Sequence, residues 1–155
     1  MTQYNFESVF AANAKFLSGL NVDSSANVKE VFEKVSFKDK VLYQDCKINI
    51  NDGSLHFFDK ESKGNFTFNL IGLNNLPNQR SVVITILCTM GTSAYVLSNP
   101  STTGFKIDNT PTTVKWISSS PPTSGFVNSI NSYTFAIIKD SKGKYTVLGT
   151  LSRFG

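Results

Sequence analysis

The stretch YTFAIIKDSKGKYTVLGTL, residues 133–151, reads as two strands joined by a turn. Tyr133, Phe135 and Ile137 alternate with Thr134, Ala136 and Ile138, the period of two that puts one set of side chains on each face of a strand. Asp140-Ser141-Lys142-Gly143 supplies turn residues, and residues 145–151 return. Gly149 inside the returning strand predicts a bulge or a close backbone contact.

Working outward, the same pattern recurs. NFTFNLI (65–71) alternates Phe66, Phe68 and Leu70 with Thr67 and Asn69, a half-buried strand. SVVITILC (81–88) is nearly continuous in apolar, β-branched residues and is expected to be the most buried strand. VLYQDCKINI (41–50) runs into Asn51-Asp52-Gly53, and SLHFFD (54–59) follows as the expected hairpin partner. Shorter strands are expected at 94–97, 104–107 and 113–117. SSSPPTSG (118–125) carries two prolines and reads as a surface loop. Strands spaced about ten residues apart predict an all-β fold, an antiparallel β-sandwich of jelly-roll-like form, over residues 36–155.

Residues 1–35 differ. Val28, Val31, Phe32 and Val35 fall at helical spacing, and Glu30 and Lys34 form an i, i+4 pair, so a short N-terminal arm or helix is expected. Tyr4, Phe6, Phe10 and Phe16 add large apolar groups with no core of their own. With Val31 and Phe32 they are the candidate assembly interface, either on the chain's own sandwich or on a neighbouring subunit.

The 155 residues suit one domain with one core. Only 17% are charged and the formal net charge is +4, so Asn, Ser and Thr must cover much of the surface. The densest basic run, Lys139, Lys142 and Lys144, sits at the hairpin tip as a solvated turn, so no nucleic-acid partner is expected. The N-terminus lacks a basic start followed by an apolar run, and no apolar run approaches ~20 residues, so neither a secretory leader nor a membrane span is expected. Cys46 and Cys88 lie in apolar, strand-like runs and read as buried free thiols. A disulfide would need their strands to face each other.

The chemistry-bearing residues are sparse. His56 is the one histidine, and its apolar flanks read as packing rather than as part of a triad. One histidine and two distant cysteines do not make a usual zinc set. Asp45, Asp52, Asp59 and Glu61 are the one acidic cluster of the strand region. Asp45 and Asp59 would approach across the 51–53 hairpin, but solvated edges and turn caps are the plainer reading. No phosphate-binding glycine motif is present. Trp116 follows both cysteines, against an immunoglobulin pattern. No catalytic residue, metal or cofactor is expected. Trp116, Tyr95 and Tyr133 could stack on sugars, and Trp116 and Tyr95 are the candidate surface recognition residues.

Several ordered pieces also resemble a known module. RSVVITILCTMGTSAYV (80–96), the VKW of 114–116, the PPTSG loop (121–125), SINSYTFAIIK (129–139) and YTVLGTLSRF (145–154), with VKEVFEKV (28–35) as a lead-in, are similar to the virion structural and tail-fibre-like β-module of tailed phages, especially those of marine bacteria and cyanobacteria. Met90-Gly91 stands where the family has Asn-Gly, and Val114-Lys115-Trp116 where it has Pro-Lys-Trp. The resemblance implies a non-enzymatic phage virion structural protein, made in the host cytoplasm and located in the virion. It would be a tail, baseplate or short-fibre component working in host attachment. A capsid decoration protein and a receptor- or glycan-binding tip module are the alternatives. Implied partners are other virion structural proteins, further copies of the chain (a homo-oligomer, with a trimer expected), and a host surface glycan or receptor.

Overall fold

The computed structural model describes residues 33–100, 102–117 and 119–155. The strands run β1 (Val35–Phe37), β2 (Gln44–Asn49), β3 (Leu55–Phe58), β4 (Phe66–Ile71), β5 (Arg80–Met90), β6 (Phe105–Ile107), β7 (Thr110–Pro111), β8 (Val114–Trp116), β9 (Ser129–Lys139) and β10 (Tyr145–Phe154). The arm residues Tyr4, Phe6, Phe10, Phe16, Val31 and Phe32 lie outside the described residues, as does most of the expected helix. Val35, the last residue of that helical pattern, opens a strand instead.

The β9–β10 hairpin forms as its alternation predicts, in unbroken register from Tyr145 opposite Lys139 to Phe154 opposite Ile130. Asp140 Oδ1 accepts from the backbone N–H groups of Lys142 and Lys144, each at 2.8 Å. Gly143 takes the left-handed backbone, φ +80°, that the turn needs. Gly149 makes no bulge. A Cβ there would stand 2.5 Å from Val114 Cγ1 and about 3.1 Å from the Trp116 ring, so the close contact is the reason for the glycine.

The expected antiparallel, jelly-roll-like pairing is corrected to a mixed one. A six-stranded sheet has the order β1-β3-β5-β9-β10-β8 and a four-stranded sheet the order β2-β4-β6-β7. Among the described residues, five of the eight strand pairings are parallel. From β1 to β6 the chain alternates between the two sheets, so neighbours within a sheet are two elements apart and run the same way. The turn at 51–53 shows the cause. Asn49 caps a short 3-10 helix, Ile50–Asp52, by accepting from the Asn51 N–H at 3.1 Å. The chain then crosses to the other sheet instead of reversing in its own. Gly53 is required there, because a Cβ would collide with the Lys34 carbonyl.

The core lies between the sheets. Phe66, Phe68 and Leu70 of β4, Phe105 of β6, and Tyr133, Phe135 and Ile137 of β9 are all buried. Phe105 and Phe135 are 4.6 Å apart between ring centres, and the Phe68 ring meets the Tyr133 ring edge-on at 5.6 Å. Such pairs add about 0.5–1.5 kcal/mol each beyond the area they bury. The buried Tyr133 hydroxyl accepts from the Leu97 N–H at 3.2 Å. Residues 94–97 form no strand. Leu97 makes a single parallel bridge with Phe66. Cys46 of β2 and Cys88 of β5 are buried free thiols in opposite sheets, and burial pushes both thiols up, Cys88 most.

Candidate functional site

The two sheets present unlike outer faces. On the four-stranded sheet, Asp45 and Lys47 of β2 point outward, beside Thr67 and Asn69 of β4 and Lys106 of β6. Lys106 Nζ lies 3.4 Å from Asp45 Oδ2, and the Thr67 hydroxyl also donates to Asp45. Asn69 and Asn109 exchange two hydrogen bonds, of 2.8 and 3.0 Å. This is the polar side that a sheet with one buried face turns to water.

The six-stranded sheet does otherwise. Inward, β5 buries Ile84, Ile86, Cys88 and Met90. Outward, it carries Val83, Thr85 and Leu87, with Val83 51% exposed. The expectation that β5 is the most buried strand is therefore corrected: the run is continuous in apolar residues, but only alternate ones reach the core, whereas four of the six residues of β4 are buried. The strand register extends this apolar layer sideways. One row runs Val35, Leu55, Thr85, Thr134, Thr150. The next runs Val83, Ala136, Leu148, Lys115. A third begins with Phe37 and Phe57, whose rings are 5.6 Å apart. No outward position in β1, β3, β5, β9 or β10 is charged; the charges on the face are Lys115 of edge strand β8 and Glu33, which precedes β1 and borders the surface at Leu55, Val83 and Thr85. Ile117, just past β8, is 82% exposed. Two shallow depressions mark the surface, one of about 350 Å³ bordered by Lys115, Ile117, Ala136 and Leu148, the other of about 510 Å³ bordered by Leu55, Val83 and Thr85.

The expected recognition residues lie elsewhere. Trp116 is only 8% exposed and points inward, its ring 6.1 Å from that of Phe135. Its indole N–H has no hydrogen-bond partner. It also borders a cleft of about 310 Å³ with Ser120, Pro122, Thr123 and Phe126, so the Pro-rich loop does adjoin it. Tyr95 is half-buried against the core, and Tyr133 is fully buried, so neither offers an open ring face.

The polar residues of the strand region are dispersed. Asp45 lies on the outer face of the four-stranded sheet, whereas Asp59 follows β3 of the other, so the cross-strand pair of carboxylates does not form. Asp52 is held by Lys38 at 2.9 Å, which draws its carboxyl below the usual range. His56 is fully buried, and neither ring nitrogen has a hydrogen-bond partner. Among the described residues, no group of three or more His, Cys, Asp or Glu is placed to hold a metal, and no helix is long and apolar enough to cross a membrane. Comparison with family models, with curated proteins and with solved structures returned no match.

Proposed function

We propose that this chain is a non-enzymatic structural part of a phage virion, a tail, baseplate or short-fibre component that acts by assembling with other virion subunits. The observation that carries the reading is the outer face of the six-stranded sheet, whose strands carry a single outward charge, Lys115. A sheet that met only water there would bear charges, as the four-stranded sheet does. The pieces that carry the phage-module resemblance support the same reading, because β5, β9, β10 and β8 are neighbours in that one sheet. Its work would be mechanical: a stiff two-sheet body with its strands locked by a shared aromatic core, held in place through one flat apolar side.

The cleft beside Trp116 and the Pro-rich loop favours a second reading, a receptor- or glycan-binding tip. A capsid decoration protein would use the same sheet face against the shell. Mass spectrometry and cryo-EM of purified particles of the phage that encodes the chain separate these readings. The expected result is the chain in fixed copy number with its density in the tail or baseplate. Density on the capsid lattice would select decoration, and absence from the particle would overturn the virion reading.

A further inference from the structure

We propose that the outer face of the six-stranded sheet is the contact between two copies of this chain, packed face to face about a two-fold axis. The inference deepens the assembly reading and rests on it for its biological setting, though not for its physics.

Size is the first argument. Six strands span five steps of about 4.8 Å, and the strands, 3–11 residues long and about 7 on average, rise about 3.3 Å per residue. The face is therefore about 24 Å by 23 Å, or about 550 Å² per copy. A specific interface of standard size takes about 800 Å² on each side. The face falls short of that even when fully used, which fits a weak dimer, and a fragment of it would not suffice.

Charge is the second. The chain carries a net charge of +4, so two copies repel through most approaches. This face is the exception, because its two charges, Lys115 and Glu33, are opposite in sign. A two-fold axis running along the β5–β9 seam sets β8 of one copy over β1 of the other. The two Lys115 side chains then stand at opposite ends and never face each other.

Relief is the third. The most exposed large groups stand at the edges, Phe37 at one and Ile117 at the other, while the middle strands carry Thr85, Thr134 and Ala136 beside Val83 and Ile138. The same two-fold places the Phe37 edge of each copy against the Ile117 edge of its partner. Self-complementarity of that kind closes at two copies, so a dimer is expected in place of the trimer that the fibre resemblance implies.

The test is sedimentation velocity and light scattering of the full chain across a wide concentration range, with Val83→Lys and Leu148→Lys. Both positions are outward-facing and open, so both variants should fold, which their melting curves will check. The wild type should show twice the 17.1 kDa chain mass. Each variant should weaken association by roughly tenfold or more. A wild-type monomer throughout overturns the inference, whether hydrogen exchange finds the face covered by another part of the chain or left open for an unlike partner. A trimer overturns it, and so does a dimer that neither lysine disturbs. The virion test is blind to these outcomes: a monomer found in the particle sinks the dimer alone, and a dimer absent from it sinks the virion reading alone.

Discussion

At the scale of single residues, two side-chain environments make firm predictions. Gly149 sits in a regular strand, where alanine would ordinarily be favoured by up to about 1 kcal/mol. Here the added methyl must displace Val114 Cγ1 and press on the Trp116 ring. Gly149→Ala should therefore destabilise the protein by about 1–3 kcal/mol, read from the urea midpoint, and Gly149→Val by more. A neutral or stabilising result would mean that β8 is free to move away.

His56 is the second. Burial, then the positive charge of Lys38, holds its pKa below 6.5, while Asp52 opposes the shift. The unfolded chain then binds the proton more readily than the folded one. Stability is full above pH 6.5, falls as the pH drops below that value, and levels off beneath the lower folded pKa. His56 is the one histidine, and the partners of Asp39, Asp45 and Asp52 lower these carboxyls from 3.8, away from this window. Melting temperature should fall between pH 7.5 and 5 in the wild type and stay level in His56→Phe. A wild type as flat as the variant would mean that the ring is protonated without cost.

At the scale of elements, turns decide which strands meet. The tip of the β9–β10 hairpin depends on Asp140, which gathers two backbone N–H groups. Asp140→Ala should cost about 1 kcal/mol and speed hydrogen exchange at the hairpin end, leaving the β5–β9 pairing protected. Asp108-Asn109 makes the other tight turn, with φ of +46° and +70°, and joins β6 to β7. Two left-handed residues in a row match the strand twist, and Asp-Asn was the available signal for this unexpected hairpin. Asp108 also reaches across with both carboxylate oxygens, accepting from Gly72 and Asn74 N–H groups at 2.7 Å. That contact ties the β4–β5 connection to the β6–β7 turn.

At the scale of the whole molecule, among the described residues, one sheet faces the core on one side and exposes a layer with few charges on the other. The dimer and virion measurements both bear on that layer, and their separate failures are informative.

The alternation of Tyr133, Phe135 and Ile137, of Phe66, Phe68 and Leu70, and the turn at 140–143 were legible in the sequence, since period two and turn chemistry are local. So was the choice for Gly149 between a bulge and a close contact, though not which of them holds. The pairing partner of each strand was not legible. Residues 51–53 suit a hairpin and a crossing between sheets equally well, because both need a capped turn and a glycine. Only the distant partners, β4 for β2 and β5 for β3, decide between them. The open face was hidden for the same reason. SVVITILC reads as the most buried strand, and whether a second layer covers Val83 depends on what else packs there, which no stretch of sequence contains. The sequence by itself determined that the chain is built of strands and where many of them turn. Tertiary structure alone decided that they wind between two sheets and leave one apolar side open.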